Sequence, residues 1–238
     1  MICFCKKGEP RFICDTITNG NVKGGRKMEW NRIPLGLLQT NCYILWNDDK
    51  DCIIFDPGDE GEKLCRWIDQ QQLKPVAVLL THAHFDHIGA VDKVRESYHV
   101  PVHVHENEAK WLLDPSLNGS QLFLRDRPIR VKPADVIISV EKELVIGPFR
   151  FQLLETPGHS PGSLSYYSPE LQAVFCGDTL FNGSIGRTDL PGGNHDELLN
   201  SIHERLLTLP EETTVLPGHG PETSIENEMD GNPFLNGF

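Results

Sequence analysis

The chain has 238 residues, 24% of them charged and 39% hydrophobic. This is the composition of an ordinary soluble globular protein, long enough to bury about 70–75% of its unfolded surface without disulfide staples. With 34 acidic against 22 basic residues and a formal charge of −12, it offers no basic stripe for phosphates. Nonspecific nucleic-acid binding is therefore not expected, although a local positive patch around a metal stays open.

No apolar run approaches the roughly 20 residues that a membrane helix needs. Lys6 and Lys7 interrupt the N-terminus before a signal-peptide core can form. The expectation is a cytoplasmic protein with no membrane partner. Seven scattered cysteines fit a reducing compartment, with Cys42, Cys52 and Cys176 lying in apolar strand-like runs as small buried hydrophobes. Cys3, Cys5 and Cys14 match no common zinc spacing.

Residues 1–27 lack periodicity and carry Gly20, Gly24 and Gly25 among polar and basic residues. They read as a disordered extension before one folded domain, 28–238. Within that domain, Asn41–Trp46 and Cys52–Phe55 read as two strands joined by a turn at Asn47-Asp48-Asp49-Lys50. Asp56-Pro57-Gly58 stops the second strand, and Leu64, Trp67 and Ile68 mark one face of a helix. Pro75–Leu80 is a short β-branched run expected as a buried strand, and Val91, Val94 and Tyr98 follow at helical spacing.

Between these last two lies Thr81-His82-Ala83-His84-Phe85-Asp86-His87-Ile88-Gly89. It packs three imidazoles and a carboxylate into six positions on a strand-to-helix loop. Neutral imidazole and carboxylate are the donors that zinc and iron prefer, and an all-nitrogen-and-oxygen set suits a catalytic metal. The bland alternative is a polar loop of solvated histidines, but four donors in six positions are hard to obtain by accident.

Downstream, Val100–His105 alternates as a strand, and Glu106–Leu113 reads as a short helix. His103 and His105 share one face of that strand and are expected to be structural. Residues 114–134 are polar and contain proline, the character of a loop over a site. Strands resume at Val136–Val140, Leu144–Ile146, Phe149–Glu155, Ser163–Tyr167, Ala173–Cys176 and Thr213–Leu216. Leu198, Leu199, Ile202, Leu206 and Leu209 outline a helix with Asn194 as its N-cap. Three of the strands run into a glycine-bearing turn and then one donor: His159, Asp178 and His219. Loops at the ends of strands are where α/β proteins build sites. With the central cluster they make five imidazoles and two carboxylates, enough for two metals.

His-x-His-x-Asp-His at 82–87, His159, Asp178, His219 and the stretch Gly183-Ser184-Ile185-Gly186-Arg187-Thr188-Asp189 closely resemble the metallo-β-lactamase-fold hydrolases, and among them the glyoxalase II-like group, over residues 28–238. The resemblance implies an α/β chain folded as a four-layer αββα sandwich, with the site at one edge of its two sheets. It implies that His82, His84 and His159 hold one divalent transition-metal ion and Asp86, His87 and His219 a second. Asp178 would bridge them, and Asp56 would steady the His-rich loop. Zinc is the first expectation for the metal and iron the second.

Two cations about 3.5–4 Å apart can share a water and lower its pKa toward neutrality. The expected chemistry is hydrolysis by that shared hydroxide, with Asp86 and Asp178 at the reacting centre and a small-molecule thioester of the hydroxyacylglutathione type as substrate. Arg187 matches the place of a basic residue that helps hold the glutathione carboxylate.

Only 19 residues follow His219, so the C-terminal helical domain that grips glutathione in full-length glyoxalase II is not expected, which matches the shorter, single-domain members. True metallo-β-lactamases are the poorer match, because they lack the aspartate bridge at the place of Asp178 and are exported. Two other readings stand beside the hydrolase. One is a persulfide dioxygenase of the same fold, using one iron at His82, His159 and Asp178; the other is a binding module that keeps a metal without turnover. The pattern carries no signal for self-association.

Overall fold

The computed structural model describes residues 18–20 and 27–235. Its first sheet runs β1 (Thr18–Gly20), β2 (Met28–Leu35), β3 (Thr40–Asn47), β4 (Asp51–Phe55), β5 (Lys74–Leu79), β6 (Val102–His105) and β7 (Val136–Ile138), in that spatial order. The first four strands pair antiparallel and the rest parallel. The β3–β4 connection is the expected hairpin. Asn47 Oδ1 accepts from the Asp51 amide at 2.9 Å, and Lys50 takes a positive φ of 69°. Parallel neighbours need a crossover, and helices supply it: α1 (Gly61–Gln70) between β4 and β5, then α2 (Phe85–Ile88) and α3 (Val91–Tyr98) between β5 and β6.

The second sheet comprises β8 (Glu143–Ile146), β9 (Phe149–Glu155), β10 (Leu164–Ser168), β11 (Ala173–Gly177), β14 (Thr214–Pro217) and β15 (Thr223–Ser224), ordered β15-β14-β11-β10-β9-β8. A two-stranded ribbon, β12 (Leu180–Phe181) with β13 (Ser184–Ile185), branches from it. The remaining helices are α4 (Ser120–Phe123), α5 (His195–Ser201), which continues into a wider-wound turn over Ile202–Leu206, and α6 (Ile225–Gly231).

Alternation along the strands sorts the apolar residues into three cores. Tyr43, Leu45, Ile53, Phe55 and Leu79 of the first sheet meet Phe149, Phe151, Leu153, Tyr166 and Phe175 of the second. The intervening residues Cys42, Ile44, Ile54 and Val78 face Leu64, Ile68, Val91 and Val94 of the helices. Val174, Cys176 and Val215 pack outward on Leu198, Leu199, Ile202 and Leu206. Helix, sheet, sheet, helix is the αββα sandwich. The central layer is knit by aromatics, Phe55 stacking on Phe175 at 4.0 Å between centroids.

The Asn194 cap forms as expected, its side chain accepting from the Glu197 amide at 3.2 Å. One strand is added to the expected set, and one expectation needs correcting. β2 went unmarked because Asn31, Arg32 and Pro34 blur its alternation, although Met28, Trp30 and Leu35 are buried. Glu106–Leu113 is helical only in its first turn, a 3₁₀ turn at Glu106–Glu108, after which the amides of Trp111, Leu113 and Asp114 reach back three residues without forming an α-helix. Glu108, wholly buried, draws the chain inward there. The disordered extension expected over 1–27 falls largely outside the described residues; within it, Thr18–Gly20 pairs with Met28–Trp30. No helix among the described residues is long and apolar enough to cross a membrane.

Candidate metal centre

β4, β5 and β6 run parallel, as do β11 and β14, and β9 shares the latter direction through its antiparallel partner β10. The C-terminal ends of each set therefore lie at one edge of their sheet, and the two edges are tied together. The Leu164 amide donates to Thr81 O at 2.8 Å, the Tyr166 hydroxyl to Leu80 O at 2.8 Å, and the Asn41 amide to Gly218 O at 2.7 Å. Asn41 Nδ2 donates as well to Pro217 O and Gly220 O, holding the turn that presents His219.

All seven donors anticipated from the sequence converge at this edge. His82, His84 and His159 form one group, with His84 Nδ1 2.9 Å and His82 Nε2 3.3 Å from His159 Nε2. Asp86, His87 and His219 form another: Asp86 Oδ2 lies 3.6 Å from His87 Nε2 and 3.2 Å from His219 Nε2. Asp178 stands between the groups. Its Oδ1 is 3.4 Å from His87 Nε2, and its Oδ2 is 3.6 Å from His159 Nε2 and 3.5 Å from His219 Nε2.

The outer nitrogens fix which way the lone pairs point. His159 Nδ1 donates to Arg187 O at 2.7 Å, and His219 Nδ1 donates to Leu38 O at 3.2 Å. His87 Nδ1 donates to Asp56 Oδ2 at 2.9 Å. Thr81 gives its hydroxyl proton to Asp56 Oδ2 at 2.5 Å, so Thr81 Oγ1 can accept from His82 Nδ1 at 3.1 Å. Four Nε2 lone pairs and the oxygens of Asp86 and Asp178 thus face one small space. Such a concentration of acceptors is repulsive unless cations sit among them. Accordingly His87 Nε2 and Asp178 Oδ1 are buried with no hydrogen-bond partner. The residues fit divalent metal.

Asp56 also lies within reach of His82 and His87, but its oxygens are taken by the Thr81 amide at 2.8 Å, the Thr81 hydroxyl and His87 Nδ1. It orients the cluster, from a left-handed backbone position at φ 46° that aspartate tolerates better than most residues. The space is so tight that a Cβ at Gly218 would fall 2.1 Å from Asp178 Oδ1 and 2.8 Å from His87 Cε1.

Electrostatics follow the same division. Burial, aided by the neighbouring imidazoles, pushes His82 well below its ordinary value and His84 to about 3. His159 is lowered too, again first by burial. Burial opposes charge on His87 as well, but Asp178 and Asp86 outweigh it and hold its pKa well above the usual, so that without a cation a proton occupies the Nε2 lone pair that a metal ion would take. Burial likewise works against ionisation of Asp86 and Asp178. The His87 charge overcomes it, leaving Asp86 at about 2 and Asp178 well below the carboxylate range.

Arg187 enters through its backbone, whose carbonyl orients His159. Its guanidinium makes a two-pronged pair with Asp189, at 2.7 and 2.8 Å, and both side chains are largely exposed. Two contributors had no signal in the sequence. Thr40 Oγ1 donates to Asp86 Oδ2 at 2.8 Å. Glu108 accepts from the Ala83 amide, the Ser160 hydroxyl and the Gly162 amide, and burial raises its pKa to about 7. His103 and His105 stay apart from the cluster, as expected of strand residues.

A largely buried set of imidazoles and carboxylates at the joined edge of an αββα sandwich defines a metal-binding scaffold. The chain belongs to the metallo-beta-lactamase superfamily, whose family model matches residues 35–219. It is 36% identical over 205 residues to the hydroxyacylglutathione hydrolase GloC of Haemophilus influenzae, covering 86% of this chain and 96% of that protein. Among solved structures, the BLEG-1 B3 metallo-beta-lactamase superposes with a TM-score of 0.85 and 57% identity, over 87% of this chain and all of the other. TTHA1623 in a di-iron-bound form superposes with a TM-score of 0.74 and 42% identity, over 86% of this chain and all of that one.

Proposed function

We propose that the protein is a thioester hydrolase for small hydroxyacylglutathione-type substrates, working in the cytoplasm with two divalent cations. His82, His84 and His159 would hold one cation and Asp86, His87 and His219 the other, with Asp178 shared between them. The observation that carries the two-cation reading is the orientation of Asp178, one oxygen toward His87 and the other toward His159 and His219. The relative in di-iron form supports the same count, and the nitrogen and oxygen donors suit zinc or iron. The substrate class rests on the likeness to GloC.

Bound cations would supply a water acidic enough to attack at neutral pH and an electrophile for the carbonyl oxygen. The side chains do the rest. Asp178 Oδ1, ionised and free of hydrogen-bond donors, orients the attacking water. Its low pKa makes it an acceptor that positions rather than a strong base. Asp86 does the same from the other side, locked by the Thr40 hydroxyl. The cysteines among the described residues are all buried, and burial raises Cys176 to about 12 and pushes Cys42 and Cys52 well above the ordinary thiol value. None is a nucleophile. A thiolate is a stable leaving group, so no general acid is required of the site.

Opening a lactam ring is the second reading, favoured by the 57% identity to BLEG-1. One assay tests both: hydrolysis of a hydroxyacylglutathione, a neutral thioester and a lactam by protein reconstituted with zinc or iron. A persulfide with an oxygen electrode is run alongside. Preferred turnover of the glutathione thioester is expected. Turnover of the lactam alone, or oxygen uptake with the persulfide, would replace the proposal.

A further inference from the structure

Glu108 lies in the turn after β6, outside the donor set, yet it is wholly buried. Its Oε2 accepts from the amide of Ala83, which sits between His82 and His84. Its Oε1 accepts from the Ser160 hydroxyl, next to His159, and from the Gly162 amide at 3.0 Å. One carboxylate therefore joins the loop after β5 in the first sheet to the loop after β9 in the second. The neighbouring Asn107 Nδ2 adds a tie to Pro161 O at 3.1 Å. The fit leaves no slack, since a Cβ at Gly162 would come within 2.8 Å of both Glu108 Cγ and His105 Nδ1.

We propose that Glu108 is a positioning residue for the His82–His84–His159 donor set, fixing the separation of the two loops and so the spread of the three imidazoles. This rests on the reading of that set as a metal site. The chemistry asks for a carboxyl group that can ionise: in its ionised form it offers two oxygens with no proton of their own to three converging donors. An amide of the same shape would turn an NH2 toward one of these donors and release either the Ala83 side or the Ser160 side. A buried carboxylate is costly unless its hydrogen bonds are made, and here they are made across the two loops that bear the ligands. The Asp86–His87–His219 set depends on Asp56, Thr40 and Leu38 O instead. The effect should thus fall on one set alone.

The test is zinc competition against a chromophoric chelator, with wild type, Glu108→Gln, Ser160→Ala and His159→Ala, together with the melting temperature of each metal-free protein. Cobalt absorption spectra of the same proteins report ligand geometry. In Glu108→Gln, one of two zinc affinities should fall by about 10–100-fold, as for other outer partners of metal ligands, while the second stays within about twofold. Ser160→Ala should weaken the same site less, at nearly unchanged melting temperature, and it decides the matter if Glu108→Gln does not fold. Both sites weakening in parallel with apoprotein stability would reduce Glu108 to a structural residue. Unchanged affinities and cobalt spectra in both variants would likewise overturn the proposal. If His159→Ala leaves both affinities intact, it is the metal-site reading itself that fails.

Discussion

Asp178 lies 3.4 to 3.6 Å from three imidazole nitrogens belonging to both donor groups. Asp178→Ala should therefore lower the content of both metals, measured by elemental analysis after reconstitution, and abolish turnover; full metal load would refute the shared assignment. Arg187→Ala should raise KM for an acidic thioester more than it lowers kcat, and leave a neutral thioester and the metal content nearly unchanged. Because a substrate carboxylate must displace Asp189 from the same fork, the loss in kcat/KM should sit near tenfold, the low end for a charged hydrogen bond. Equal losses on the two substrates would assign Arg187 a structural role. The seven clustered residues were legible in the sequence because each is of a donor type, four of them in one six-residue run and His159, Asp178 and His219 in a shared context of strand, glycine turn and donor. Thr40 and Glu108 were not legible. A lone threonine or glutamate in a turn reads as exposed, and only the fold brings Glu108 to Ala83 and Ser160.

Elements explain why single glycines matter at this edge. The turn Pro217-Gly218-His219 leaves β14 beside β11, and its carbonyls are held by Asn41 and Tyr43. A methyl at Gly218 would overlap Asp178 Oδ1, and neither backbone can retreat without breaking those bonds. Gly218→Ala is expected to cut activity and metal content more steeply than it lowers the melting temperature; normal zinc content would show that the turn can yield. Strand β9 was legible from end to end, since Phe149, Phe151 and Leu153 alternate with Arg150 and Gln152. The turn at Glu106–Glu108 was not, because its direction is set by a buried hydrogen-bond network rather than by periodicity.

At the scale of the molecule, the two sheets and their helices close the cores from Met28 onward. A chain starting at Met28 should keep metal content and a melting temperature within a few degrees of the full chain, since β1 adds only three paired residues; insolubility or lost metal would contradict this. Chelation, by contrast, should lower the melting temperature, and restored free metal should raise it again roughly with the logarithm of its concentration, because the cation binds the folded state. Each donor set draws on both sheets: His82 and His84 against His159, Asp86 and His87 against His219. As polymer topology, an ion in the first set ties positions 84 and 159, 75 residues apart, and one in the second ties 87 to 219, 132 residues apart. Cross-links that close such long loops take the most freedom from a disordered chain. The two ions would then act as reversible knots, making escape from the native state wait on the slowest ligand to let go.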